Sequence, residues 1–143
     1  MNRIAVIYWS GTGNTQMMAE AVAQGAKDAG GEVTLLSVSD TDAAAAASYD
    51  ALALGCPAMG GEVLEESEFE PFFSELEGKL SGKKVALFGS YDWGDGQWMR
   101  DWCARCEAAN ANLYDENGLM AHEAPDDETL EACRELGRKL ADW

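Results

Sequence analysis

The sequence predicts an α/β fold: a doubly wound, five-stranded parallel sheet in the order 2-1-3-4-5, with helices on both faces. Two observations carry the prediction. Strand-like apolar runs alternate with helical patterns as βαβαβαβαβα along the 143 residues. The runs are nearly continuous rather than alternating, as in strands covered on both faces. The length suits one domain, 1–143, with a real core, and the crossovers are expected to be right-handed.

The elements follow in order. Ile4-Ala5-Val6-Ile7-Tyr8 is the first strand. A helix opens near Thr15, with Met18, Val22, Gly25, Ala26 and Ala29 on one spacing, and Gly30-Gly31 ends it. Residues 32–38 read as a β-branched strand, 42–47 as a short alanine-rich helix, and 50–56 as the third strand, which ends at Pro57. Residues 58–68 are a loop with Gly60-Gly61 and then acids. Phe69, Phe72, Phe73 and Leu76 share one face of a helix over 69–80, stopped by Ser81-Gly82. Residues 84–89 form a strand and 91–96 a loop, and Asp95 is the expected N-cap of a helix to about Ala109. Residues 111–114 and 119–122 read as one strand broken at 115–118. Asp126-Asp127-Glu128 opens the last helix, to about Asp142.

In a sheet of this order a ligand sits beyond the carboxyl ends of strands 1, 3 and 4. Those ends are the loops at 10–15, 57–62 and 90–96, so three loops converge on one crevice. The first is Ser10-Gly11-Thr12-Gly13-Asn14-Thr15. It makes an anion site from uncharged parts: unpaired N–H groups at a helix start, the positive end of the helix dipole, and glycines that let the backbone approach closely. Ser10, Thr12, Asn14 and Thr15 add side-chain donors. The loop has no Lys, so it is not a nucleotide-triphosphate loop, and Gln16 breaks the dinucleotide glycine pattern. It suits a phosphate monoester. The plainer alternative is an ordinary strand-to-helix turn.

A net charge of −16 speaks against nucleic acid and anionic membrane surfaces as partners. Hydrophobic content of 47% supports a folded chain. No run is long enough for a membrane span. Met1-Asn2-Arg3 leads into a strand-like run without a small-residue cleavage site, so a cytoplasmic protein without a signal peptide is expected. Four cysteines, Cys56, Cys103, Cys106 and Cys133, do not make a disulfide framework.

Three stretches together resemble the short-chain flavodoxins: the 10–15 loop, then Ala58-Met59-Gly60, then Ser90-Tyr91 with Trp93-Gly94-Asp95-Gly96. The run at 62–71, Glu-Val-Leu-Glu-Glu-Ser-Glu-Phe-Glu-Pro, is similar to the clostridial members. The resemblance covers essentially the whole chain. It implies a flavodoxin-like fold and one noncovalently bound flavin mononucleotide (FMN). The phosphate would sit on Ser10, Gly11, Thr12, Gly13, Asn14 and Thr15. Pro57, Ala58, Met59, Gly60, Gly61 and Glu62 would line one side, and Ser90, Tyr91, Asp92, Trp93, Gly94 and Asp95 the other. Met59 and Trp93 would cover the two faces of the isoalloxazine, Glu62 would bond N3–H, and the Gly60 carbonyl would accept from N5–H. The implied activity is low-potential, one-electron transfer between neutral semiquinone and anionic hydroquinone. The partners would be reductases and oxidases with basic docking faces, and the carrier a monomer.

Seven acids and no base lie at 62–77: Glu62, Glu65, Glu66, Glu68, Glu70, Glu75 and Glu77. Their repulsion is expected to disfavour an anionic reduced ring. Roughly 3 kcal/mol would lower a one-electron potential by over ~100 mV, although screening weakens each exposed acid and Glu75 and Glu77 read as a solvated face. Relatives often carry Asp where Gly61 stands. Gly61 is expected at the φ > 0 position of a type II turn over 59–62, about 1 kcal/mol easier for glycine. Asp92 stands where glycine is common; with φ > 0 it would be tolerated better than most residues.

Cys103 and Cys106 match Cys-x-x-Cys but fall mid-helix, without a second ligand pair, so they read as structural thiols, as does Cys56. His122, the sole histidine, supports neither a metal cluster nor a nucleophile pair; with Glu123 it is placed near the ribityl chain or ring edge. Two other classes are weighed. An FMN-dependent NAD(P)H or quinone reductase of this fold would need a nicotinamide pocket, for which no segment is evident. A flavin-free phosphate-binding signalling domain would be colourless. No metal is expected.

Overall fold

A computed structural model of the chain describes residues 3–143. The strands are β1 (Arg3–Tyr8), β2 (Glu32–Ser37), β3 (Ala51–Gly55), β4 (Lys84–Tyr91) and β5 (Asn112–His122). The helices are α1 (Asn14–Asp28), α2 (Ala43–Ala47), α3 (Phe69–Glu77), α4 (Gln97–Ala108) and α5 (Asp127–Asp142). The five strands form one sheet in the order β2-β1-β3-β4-β5, every pair parallel. This is the predicted order.

The central strands send alternate side chains to two cores, the period-two rule of a sheet buried on both faces. Ile4, Val6, Ala51, Ala53, Ala86 and Phe88 pack with Met18, Val22, Cys133, Leu136 and Leu140, under α1 and α5. Ala5, Ile7, Leu52, Leu54, Val85 and Leu87 pack with Phe69, Phe73, Trp98 and Trp102, under α3 and α4. Trp102 meets Phe69 and Phe73 edge-on, with centroids 5.4 and 5.9 Å apart, a favoured geometry for ring quadrupoles. On the other face α1 and α5 touch backbone to backbone. A Cβ on Gly25 would fall 1.9 Å from the Arg134 carbonyl oxygen, and one on Gly137 2.0 Å from that of Val22.

Several boundaries differ from expectation. β4 runs on through Ser90 to Tyr91 because β5 pairs with it there. α3 ends at Glu77, with Gly78 as its C-cap, rather than at Leu80. Residues 38–40 form a 3-10 turn instead of extending β2. β5 is one strand whose register slips: Tyr114 pairs with Ala86 and Leu119 with Phe88, so residues 115–118 face Leu87 alone. Asp115 (φ 58°) and Gly118 (φ 70°) make that excursion. Asp42 and Asp126 cap α2 and α5, accepting from Ala45 N–H and Thr129 N–H at 2.8 Å each. Among the described residues no helix is long and apolar enough to cross a membrane.

Candidate functional site

A cavity of about 210 Å³ opens at the carboxyl ends of β1, β3 and β4. Its walls come from all three predicted loops: Ser10, Gly11, Thr12 and Thr15; Pro57, Ala58 and Met59; Ser90, Tyr91 and Asp92. Trp9 also lines it and was not among the predicted site residues. Its position at the exit of β1, one residue before the loop, was the available signal. Its indole N–H donates to Glu68 Oε1 at 3.1 Å, which ties the loop after β1 to the acidic loop after β3.

The first loop is a turn in which N–H groups converge on oxygen. Ser10 Oγ accepts from Gly13 N–H at 3.1 Å and from Gln16 N–H at 3.3 Å. Thr12 Oγ1 accepts from Asn14 N–H at 3.4 Å. Gly13 is the residue before α1 and has φ 97°, a conformation that strains any side chain with a Cβ. Gly13 and Asn14 complete the turn and are not among the residues that line the cavity. Thr15 is buried, and its hydroxyl meets that of Ser90 at 3.2 Å, joining the start of α1 to the end of β4. No cationic side chain lines the cavity. The turn is therefore suited to an oxyanion held by N–H and O–H donors.

The second loop is a hairpin. Met59 and Val63 exchange both backbone hydrogen bonds, at 2.8 and 3.0 Å. This corrects the turn expected over 59–62. The closing residue is Val63, so the three-residue tip is Gly60, Gly61 and Glu62. Gly60 (φ 47°) and Glu62 (φ 58°) take the left-handed conformation, and Gly61 does not. Asp92 does not have positive φ either.

Glu62 carries a role that its local sequence does not reveal. Its Oε1 accepts from Gln97 N–H at 3.0 Å, at the first residue of α4. Its carboxyl group also sits where a Cβ on Gly94 would fall, 2.5 Å from Cδ. The second and third loops are thus joined by one side chain. This corrects the expected cap: Gly96, not Asp95, precedes α4, and no side chain of its own caps it. Asp95 instead binds Arg100, through its carbonyl at 3.0 Å and its Oδ1 at 2.9 Å.

Gly60, Gly61, Glu62, Trp93, Gly94 and Asp95 do not line the cavity; they continue the second and third loops beyond the lining residues Met59 and Asp92. Met59 is 37% exposed and Trp93 61% exposed. Both are large apolar groups on loops that flank a cavity. His122 lies beside Tyr91, with ring centroids 5.0 Å apart, and behind the third loop.

The acidic run is not a uniform wall of charge, and this corrects the expected field. Glu65 is 6% exposed and faces inward. It accepts from Glu68 N–H, Phe69 N–H and Ser67 N–H at 2.8–2.9 Å, and from the Ser67 hydroxyl. Burial alone would raise its pKa; those hydrogen bonds outweigh burial and hold it below the ordinary value. Glu70 and Glu77 share Arg105, at 2.7 Å each. Glu77 is therefore an ion-pair partner, not a solvated acid. The Arg105 hydrogen bonds hold Glu70 below its ordinary pKa. Cys103 and Cys106 are buried, which pushes their thiols up to about 11 and about 12. Burial does the same to Cys56. Among the described residues no group of side chains is arranged to hold a metal.

Comparison with known proteins gives a consistent picture. A family model described as flavodoxin matches residues 6–137. A flavodoxin of Clostridium beijerinckii is 51% identical over 136 residues, 95% of this chain and 97% of its own. One of Megasphaera elsdenii is 46% identical over 138 residues, 96% of this chain and 98% of its own. The solution structure of the two-electron reduced Megasphaera elsdenii flavodoxin superposes with a TM-score of 0.86, covering 98% of this chain and 99% of that one.

Proposed function

The chain belongs to the flavodoxin family, an FMN-binding family of electron carriers, and we propose that it moves single electrons at low potential between the half-reduced and fully reduced forms of that cofactor. The doubly wound sheet of flavodoxins is itself a standard instance of ligand binding at the switch point between strands 1 and 3. The cofactor is FMN. Its isoalloxazine supplies reversible one-electron chemistry.

The observation that carries the assignment of residues is the pairing of a cavity at the start of α1 with two exposed apolar side chains, Met59 in its wall and Trp93 next in sequence to the lining residue Asp92. In this reading Ser10, Gly11, Thr12, Gly13, Asn14 and Thr15 would hold the phosphate through backbone N–H and side-chain donors. Pro57, Ala58, Ser90, Tyr91, Asp92, Gly94 and Asp95 shape the walls and rim. Met59 and Trp93 cover the ring faces and exclude water, the first with a polarisable thioether and the second with a broad indole. Glu62 offers a carboxylate oxygen to ring N3–H while keeping Gln97 N–H; a carboxylate has lone pairs for both. Gly60 would offer its carbonyl as the acceptor for a proton at N5. Its left-handed backbone and open surroundings leave that peptide free to turn. Gly61 contributes an unhindered tip rather than a required φ.

We place the whole chain, 1–143, in one FMN-binding domain, acting as a cytoplasmic monomer. Four free, buried cysteines are consistent with a reducing compartment. The remaining rim acids, Glu62, Glu66, Glu68 and Asp92, give basic reductases and oxidases a complementary docking face, with Asp95 partly offset by Arg100.

Anaerobic titration of the purified FMN-loaded chain, followed by visible spectra, tests the reading. Accumulation of the half-reduced form at high yield supports it. Passage straight to the two-electron reduced form, or steady oxidation of NADPH by the isolated protein, overturns it in favour of an enzyme.

A further inference from the structure

The loop at 92–96 leaves β4 and carries Trp93. Its first peptide beyond the strand is held from β5: His122 Nε2 lies 3.0 Å from the Asp92 carbonyl oxygen. A carbonyl oxygen only accepts, so Nε2 carries the proton and donates. The imidazole lies at the surface with one side against a neighbouring ring. It packs against the Tyr91 ring at 5.0 Å, and that ring packs against the buried Trp98 at 5.6 Å. Behind it, Glu123 N–H donates to the Tyr91 carbonyl at 2.7 Å, continuing the contact between β4 and β5. The imidazole is itself exposed, but it is braced by Tyr91 and placed at the carbonyl of the peptide that joins Asp92 to Trp93.

At the far end the loop is tethered by Arg100, which donates to the Asp95 carbonyl at 3.0 Å and to its carboxylate at 2.9 Å. Between the two tethers lie the exposed Trp93 and Gly94, whose φ is 92°. The direction of the indole therefore depends on how the 92–93 peptide is set at the first tether.

We propose that His122 is a positioning residue for the flavin: by holding the Asp92 carbonyl it sets the plane of the 92–93 peptide and aims Trp93 at the ring. The inference rests on the reading of Trp93 as a stacking partner. His122 itself contacts no cofactor in this account, which departs from its expected place at the ribityl chain or ring edge. It acts through a backbone carbonyl. Without the donor the peptide rotates more freely, and stacking must order it at the moment of binding.

The test is a double-mutant cycle on FMN affinity, read by quenching of flavin fluorescence as FMN is added to the apoprotein. His122→Ala weakens binding by roughly fivefold, the factor that one neutral hydrogen bond carries. It also reduces the induced visible circular dichroism of the bound flavin. His122→Gln, whose amide N–H reaches out in place of Nε2, recovers most of both. In a Trp93→Ala background the His122→Ala loss disappears, because the indole it aimed is gone. A loss of equal size with and without Trp93, or no recovery with Gln, overturns the inference and leaves the proposed function standing. Wild-type protein that takes up no FMN overturns both.

Discussion

At the scale of single residues, the hairpin tip shows what a sequence withholds. Gly60-Gly61 announces a turn, but which glycine is bent backwards depends on the residue that closes it, and closure by Val63 gives φ 47° to Gly60 and leaves Gly61 ordinary. Gly60→Ala should therefore cost the apoprotein about 1 kcal/mol. Gly61→Ala, with open space around it, should stay within about 0.5 kcal/mol of the parent. Urea unfolding of both variants checks this, and equal costs would restore the type II turn. Glu65 was legible only as one acid among seven; its inward turn needed Ser67, Glu68 and Phe69 to present their N–H groups. Replacing it by Gln should cost about 1–2 kcal/mol at pH 7. Its folded pKa lies below the unfolded one, so its contribution is present above the unfolded value and is lost as pH falls through the folded one. The gap between parent and Glu65→Gln should thus narrow progressively as pH falls below the ordinary carboxylate value. A gap independent of pH would deny the carboxylate its role.

At the scale of elements, the periodic patterns gave the right helices and strands, because burial on one stripe or both faces leaves a mark within ten residues. Contacts between distant elements leave none. The cap of α4 comes from Glu62 across the molecule, and Arg105 on α4 clamps Glu70 and Glu77 on α3 while lying 4.8 Å over the Phe73 ring. Arg105→Met should cost about 1–2 kcal/mol, since it leaves two half-buried acids without a partner while preserving apolar packing. Glu70 is held below its ordinary pKa by Arg105, so the loss should be fully present above the ordinary carboxylate value and shrink in acid as Glu70 takes up its proton; urea midpoints at pH 7 and pH 4 test it. The glycines between α1 and α5 are a stricter constraint. Gly137→Ala puts a methyl group 2.0 Å from the Val22 carbonyl oxygen, so α1 and α5 must separate. The cost should be about 2–3 kcal/mol, and a change under about 0.5 kcal/mol would mean that the two helices slide without penalty.

At the scale of the whole molecule, the strand order and the meeting of three loops were legible, because alternation of elements and the rule of parallel sheets leave few arrangements. The charge field was legible only as a total. Of the seven acids at 62–77, the fold turns Glu65 inward and gives Glu70 and Glu77 to Arg105, while −16 overall still favours basic partners. Reduction of the FMN-loaded protein by a basic reductase should slow as salt is raised, by about tenfold or more between low and physiological ionic strength. A rate indifferent to salt would remove rim steering. The slipped register of β5 has a consequence of another kind. Four residues opposite one make the outer margin of the sheet buckle halfway along, and a second molecule finds no straight template there to zip onto. That edge is thereby guarded against fibre growth, and a version trimmed of residues 115–118 should associate more readily through it.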